Sequence, residues 1–251
     1  MTSKQTIWVI GGTSNATEIC SRLTTLGYKI VVTVTTDFGR HLSELPGVVV
    51  VKALLNPHDM EQLIKEYSID LILDASHPFA LEVSTNAMQV AEKQGLKYLR
   101  FERQNSKFEG AVYVNDYEDV VAYLDQKEGN VLLTTGSKHV SRFMPLGADR
   151  LFVRVLSTSD SVALCEQAGL KPVSIIALCG VGSVELNVAL MHEFSIRYLV
   201  TKESGAEGGL TQKLEAAKRA NVEVIIIQRP SVVYPEVFSD YDTLMARIET
   251  I

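Results

Sequence analysis

Short apolar runs alternate with longer stretches of helical periodicity along the whole chain. The runs 7–10 (Ile-Trp-Val-Ile), 29–34, 48–51, 69–73 and 97–101 read as strands, and 69–73, apolar but for Asp70, reads as a central parallel strand. Helical patterns lie between them: about 15–26 closed by Gly27, a helix opened by Asn56-Pro57, and one reaching about Gln94. The rhythm breaks over 102–115 and then resumes. Strands are predicted at 131–134, 151–156, 174–178, 197–200 and 222–227, and helices at about 117–126, 159–168, up to His192, up to Ala220, and 241–249. Strict alternation of this kind predicts an α/β chain of doubly wound, mostly parallel sheets flanked by helices. The break divides it into an N-terminal lobe, 1–105, and a C-terminal lobe, 106–251.

Two glycines stop the first run. Ile10-Gly11-Gly12-Thr13-Ser14-Asn15 reads as a strand, a tight turn and a helix N-terminus, with Ser14 or Asn15 as the cap. Free N–H groups and the positive end of the dipole attract phosphate there, and glycine lets the backbone approach it. The stretch lacks the third glycine of the full dinucleotide fingerprint, and a plain strand-to-helix turn without ligand is the competing reading. At the end of the second strand, Thr35, Thr36 and Arg40 suit a ribose 2′-phosphate and point to NADPH, whereas Asp37 weakens that assignment, and the competing reading of the stretch is a solvated loop.

Composition narrows the classes. A hydrophobic share of 46% supports a sizeable core, and a net charge of −6 without any Lys/Arg run argues against nucleic acid. No apolar stretch is long enough to span a bilayer, and residues 1–6 lack the apolar core of a signal peptide, so a cytoplasmic protein without a membrane partner is expected. Cys20, Cys165 and Cys179 fall in stretches read as helix, helix and strand, which predicts buried free thiols. The five histidines and three cysteines show no metal-ligand spacing, so no metal is expected.

Candidate chemistry sits at strand ends. Ser76-His77-Pro78-Phe79 follows a buried strand; His77 is placed to donate a proton or to orient a carboxylate or ribose, and the competing reading is a loop histidine with Phe79 as core filler. Lys138, in Thr135-Gly136-Ser137-Lys138, and Lys202, in Thr201-Lys202-Glu203-Ser204-Gly205, lie beside small hydroxyl residues on equivalent loops. Together they suit an anionic ligand, with Arg229 as a further clamp for carboxylate or phosphate.

These stretches together resemble the precorrin-6A reductase family of corrin-ring biosynthesis. The resemblance spans most of the chain. It rests on Gly11-Gly12-Thr13, Asp74-Ala75-Ser76-His77-Pro78-Phe79-Ala80, Leu99-Arg100-Phe101-Glu102-Arg103, Thr134-Thr135-Gly136-Ser137-Lys138, Leu199-Val200-Thr201-Lys202-Glu203-Ser204-Gly205 and Gln228-Arg229-Pro230. It implies two Rossmann-like lobes with a reduced nicotinamide between them, and NAD(P)H-dependent reduction of one C=C bond of the precorrin-6A or cobalt-precorrin-6A macrocycle. Under it, Gly11, Gly12, Thr13, Thr36, Arg40, Ser76, His77 and Pro78 hold the cofactor, and His77 is the candidate catalytic residue. Phe79, Thr135, Gly136, Ser137, Lys138, Lys202, Ser204, Gly205 and Arg229 hold the anionic tetrapyrrole. Two stretches depart from the family pattern: no acidic residue follows Gly-Gly-Thr closely, and Cys179-Gly180-Val181-Gly182 stands where a Gln-Gly-Pro-Phe type sequence is common. Competing functions are an NAD(P)H reductase of another small anion, a non-catalytic NAD(P) sensor, and a transferase with a different nucleotide cofactor.

Overall fold

The computed structural model describes residues 4–103, 107–205 and 209–251. The chain forms two units, one of Met1–Gln104 with Pro230–Ile251 and the other of Asn105–Arg229. Each is built on a six-stranded sheet in which every strand pair is parallel.

The first unit contains β1 (Thr6–Ile10), α1 (Ser14–Thr25), β2 (Lys29–Val34), α2 (Asp37–Ser43), β3 (Val48–Lys52), α3 (Pro57–Tyr67), β4 (Leu71–Asp74), α4 (Leu81–Gln94) and β5 (Lys97–Phe101). The period of two along β1 sorts its side chains to opposite faces. Ile7 and Val9 pack with Ile19 and Leu23 of α1, while Trp8 and Ile10 pack with Met60 and Leu63 of α3 and Ala87 and Val90 of α4. Both faces are therefore covered, which is why 7–10 reads as an unbroken apolar run.

The second unit contains β6 (Val112–Val114), α5 (Tyr117–Leu124), β7 (Asn130–Leu133), β8 (Leu151–Val155), α6 (Ser159–Gln167), β9 (Ile175–Ala177), α7 (Val184–Glu193), β10 (Ile196–Lys202), α8 (Leu210–Ala220) and β11 (Glu223–Ile227). A 3₁₀ segment, Ser137–Leu146, follows β7 and buries Val140, Phe143 and Leu146. On one sheet face Leu132, Leu199, Val224 and Ile226 pack with Met191 of α7 and Ala216 and Ala217 of α8.

The expected division at 105/106 misplaces the chain's end. After Arg229 the chain rejoins the first unit: β12 (Val237–Phe238) pairs with β5, and α9 (Tyr241–Glu249) buries Leu244, Met245 and Ile248 in the core of β1 and α1. A strand of two residues leaves no periodic signal, and an apolar helix stripe does not name the sheet that it covers. Other differences are local. α2 occupies a stretch that reads as a solvated loop, and Thr13 rather than Ser14 or Asn15 caps α1. Cys20 and Cys165 are buried, but Cys179 is exposed beyond the end of β9, 2.9 Å from the Ser157 hydroxyl. Gly180 and Gly182, both at positive φ, follow it and turn the chain away from the sheet.

Candidate active site

In open parallel sheets, ligands bind beyond the carboxyl ends of the strands where the winding direction reverses. Strand order in the first unit is β12-β5-β4-β1-β2-β3, so the reversal falls between β1 and β4. Its two exits are the glycine turn and the segment Ala75–Phe79. In the second unit the order is β6-β11-β10-β7-β8-β9, and the reversal falls between β7 and β10. Its exits are Thr134–Lys138 and Glu203–Gly205.

The two glycines of the first exit serve different ends. A Cβ on Gly11 would lie 2.7 Å from Val32 Cγ2 and 3.2 Å from the Thr33 carbonyl oxygen, so only glycine lets the turn lie against β2. Gly12 has φ +93°, a left-handed conformation that glycine adopts without strain, and a Cβ there would meet nothing within 4 Å. The turn thus faces open space with its backbone bare. A Cβ on Gly39 in α2 would come within 3.6 Å of Gly12 Cα, so α2 starts beside the turn. Thr36 caps α2 by accepting from the Gly39 N–H at 3.0 Å. Arg40 is exposed and lies 3.5 Å from Glu44. The Asp37 carboxylate is 2.6 Å from Lys52 Nζ, which holds it below the usual carboxylate range.

The second exit of this unit is tied to the first. The Ala75 N–H donates to the Ile10 carbonyl at 3.1 Å, and the Thr13 hydroxyl donates to the Ala75 carbonyl at 2.8 Å. A turn from His77 to Ala80, with Pro78 in its second position, closes through the Ala80 N–H to the His77 carbonyl at 2.8 Å. Half-buried His77 accepts the Phe79 N–H on Nδ1 at 3.2 Å, which leaves the proton of the neutral ring on Nε2. Phe79 lies against that ring, centroids 5.7 Å apart.

The second unit gathers positive charge at its reversal point. Lys202 is half-buried at the end of β10, its amine 5.7 Å from the Tyr117 ring; burial, and then Lys138, pull its pKa down to about 8. Burial also lowers the pKa of His139, with further effects from Lys202, Arg142 and Lys138. Lys138 and Ser137 open the 3₁₀ segment, and Gly136 before them has φ +87°. Thr135 is buried, with its hydroxyl oxygen unbonded. The Ser204 N–H donates to the Lys202 carbonyl at 2.7 Å. Arg229 is fastened to the same exit: its N–H donates to Glu203 Oε2 at 3.0 Å and its Nε to the Glu203 carbonyl at 2.9 Å. A Cβ on Gly205 would lie 3.5 Å from Arg229 Nη2.

Thus Gly11, Gly12, Thr13, Thr36, Arg40 and Ser76–Phe79 surround the first reversal point, and Thr135–Lys138, Lys202, Ser204, Gly205 and Arg229 surround the second. Sequence reading passed over two features. Asp74 and Arg100, directly paired in the register of β4 with β5, form a wholly buried ion pair at 2.8 Å. Buried Lys213 in α8 donates to the Thr201 hydroxyl at 3.0 Å, and burial, with Arg154, lowers its pKa to about 7. The signal for each was a lone charge inside an otherwise apolar run or helix stripe. Among the described residues, no group of three or more His, Cys, Asp or Glu could hold a metal ion, and no helix is long and apolar enough to cross a membrane.

The family model described as precorrin-6x reductase CbiJ/CobK matches residues 6–249. A cobalt-precorrin-6A reductase of Methanocaldococcus jannaschii is 36% identical over 247 residues, 97% of this chain and 98% of that protein. One from Priestia megaterium is 35% identical over 245 residues, covering 95% and 96% of the two chains. The solved structure of the CobK precorrin-6A reductase superposes with a TM-score of 0.80 over 98% of this chain and 96% of that one, at 22% identity, and shares the fold.

Proposed function

The chain belongs to the CbiJ/CobK family of precorrin-6x reductases, and from that premise we propose that it reduces one C=C bond of cobalt-precorrin-6A with NADPH. The relatives that match it over nearly their whole length are named for the cobalt-containing ring, which favours that substrate over the metal-free one.

The observation that carries the cofactor assignment is the open, left-handed Gly12 beside a capped helix N-terminus at the reversal point of the first sheet. Such a cradle fits a dinucleotide's phosphates. Gly11, Gly12 and Thr13 would bind the pyrophosphate. Thr36 and Arg40 would take a ribose 2′-phosphate, because Asp37, the residue that would favour a free 2′-hydroxyl, is already paired with Lys52. Ser76, His77 and Pro78 would line the nicotinamide end. When bound, the reduced nicotinamide supplies a hydride.

The residues of the chain do the rest. His77 holds a proton on Nε2 and offers it at the edge of the first reversal point. Phe79 gives an apolar face, and Lys138, Lys202 and Arg229 bind carboxylate arms of the ring, assisted by Thr135, Gly136, Ser137, Ser204 and Gly205. Positioning accounts for most of the rate gain, since hydride and proton addition to a C=C bond needs no protein nucleophile.

The test is spectrophotometric. Protein is mixed with precorrin-6A or its cobalt form, each with NADPH or NADH. Nicotinamide oxidation coupled to a shift of the macrocycle spectrum is expected, fastest with the cobalt ring and NADPH. Flat traces in all four mixtures with cofactor binding intact would overturn the reading in favour of a nucleotide sensor or a different substrate.

A further inference from the structure

The exit of β4 is held by a buried polar network of which only Ser76 takes part in the assignment above. Asp74 and Arg100 are both fully buried. Asp74 Oδ1 accepts from the Ser76 N–H at 2.9 Å and from Arg100 Nη1 at 2.8 Å; Oδ2 accepts from the Ser84 and Tyr98 hydroxyls, each at 2.6 Å. Arg100 Nη1 also reaches the Ser76 hydroxyl at 3.1 Å, and its Nε and Nη2 donate to Glu102 Oε2 at 3.1 and 2.9 Å. The Tyr234 ring covers the guanidinium at 5.1 Å. Burial opposes the charge on Arg100, and Asp74 offsets it, so the group stays cationic. Burial and Asp74 both push the Tyr98 phenol up, so it remains a donor.

A buried ion pair is a poor way to gain stability, since apolar residues of equal volume often serve as well or better. An apolar pair, however, could not hold Ser76. The network grips Ser76 by its N–H and its hydroxyl, while the neighbouring Ala75 is gripped by Ile10 and Thr13 from the glycine turn. Together these bonds fix the Ala75–Ser76 peptide against the turn, one residue before His77. We propose that Arg100 is a positioning residue of the nucleotide site, locked by Asp74 and Glu102 so that the Ser76–His77 segment is held in its binding geometry before the cofactor arrives. This rests on the reading of the first reversal point as a nicotinamide-nucleotide site.

The experiment uses the full chain and its single tryptophan, Trp8 of β1, whose energy transfer to NADPH reports binding directly. Arg100→Lys keeps a cation but loses the fork that spans Asp74, Ser76 and Glu102. It is expected to weaken NADPH binding about tenfold, to raise the KM for NADPH in step, and to leave the KM for the ring unchanged with kcat within about threefold. Ser84→Ala keeps the ion pair, removes one bond to Asp74, and is expected to weaken NADPH binding about threefold. A merely structural role would lower the active fraction and leave the dissociation constant of the folded protein unchanged; that outcome in Arg100→Lys overturns the proposal. If Arg100→Lys fails to fold, unaltered affinity in Ser84→Ala overturns it instead. Absence of energy transfer and of binding in the wild-type protein is a separate result, and sinks the nucleotide reading itself.

Discussion

The hydroxyl of Thr13 donates to the carbonyl of Ala75 at 2.8 Å and accepts from the Ala16 N–H at 3.2 Å. One side chain therefore caps α1 and joins the exits of β1 and β4. Thr13→Val keeps the shape and loses both bonds. It should cost about 1–2 kcal/mol of stability and raise the KM for the nicotinamide. Thr13→Ser should restore both. Urea midpoints and cofactor KM values for the two variants check this; equal KM values would separate the cap from the cofactor site.

His77 is half-buried, and its Nδ1 is committed to the Phe79 N–H. His77→Ala should therefore move the melting temperature little. If Nε2 supplies a proton to the ring, kcat should fall by about a hundredfold, the lower range for loss of a positioned acid. An unchanged kcat/KM would remove His77 from the site.

The sheets were legible in the sequence because parallel strands covered on both faces read as near-continuous apolar runs, as 71–73 and 224–227 do. The glycine turn was legible because Gly12 needs a backbone that other residues avoid. Nonlocal relations were not. Nothing in Val237-Phe238 states that it joins β5, and nothing in Leu-Arg-Phe states that Arg100 lies beside Asp74. Such pairings are set by sheet order, which the hydrophobic period does not encode. Lys138 and Lys202 were found as separate loop residues, whereas the depressed pKa of Lys202 needs burial and proximity that only the fold supplies.

That pKa gives a signed prediction. Lys202 attracts carboxylates only while protonated, and its pKa is pulled down to about 8 by burial and then by Lys138. The KM for the anionic ring should therefore rise as pH passes upward through about 8. Lys138→Ala removes a neighbouring positive charge, so the rise should move to higher pH even as the overall KM increases. Lys202→Arg, which stays charged, should flatten the profile. KM measured from pH 7 to 9.5 in the three proteins is the check; superimposable profiles would detach Lys202 from substrate binding.

Lys213 makes the corresponding prediction for stability. Its folded pKa, about 7, lies below the ordinary lysine value because burial and Arg154 disfavour the charge. Between the two values the unfolded chain binds more protons than the folded one, so stability rises with pH across that window. Below about pH 7 this gain is absent. Lys213→Met removes the titration. The urea midpoint of wild type relative to Lys213→Met should shift in favour of wild type from pH 7 to 9; a constant difference would mean that Lys213 folds with an unperturbed pKa.

The C-terminal return makes the last prediction. Leu244, Met245 and Ile248 are buried with Ile7, Val9, Ile19 and Leu23, and Phe238 packs on the same cluster. The Arg100 N–H donates to the Glu236 carbonyl at 2.9 Å, and the Glu102 N–H to the Phe238 carbonyl at 2.8 Å. The Tyr241 hydroxyl donates to Asn15 Oδ1 at 2.8 Å, in the first turn of α1. Removing 230–251 would uncover one face of the first sheet and the edge of β5. Burying three such side chains is worth about 1.5–3 kcal/mol each, a large part of a domain's net stability. The truncated chain should therefore lose the first unit selectively. Trp8, fully buried in wild type, should shift its emission to the red, and amides of β1, β4 and β5 should lose hydrogen-exchange protection. Amides of β7, β10 and β11 should keep theirs, because the second unit ends at Arg229. Equal loss in both sets would show that the return segment supports the whole chain rather than the sheet it joins.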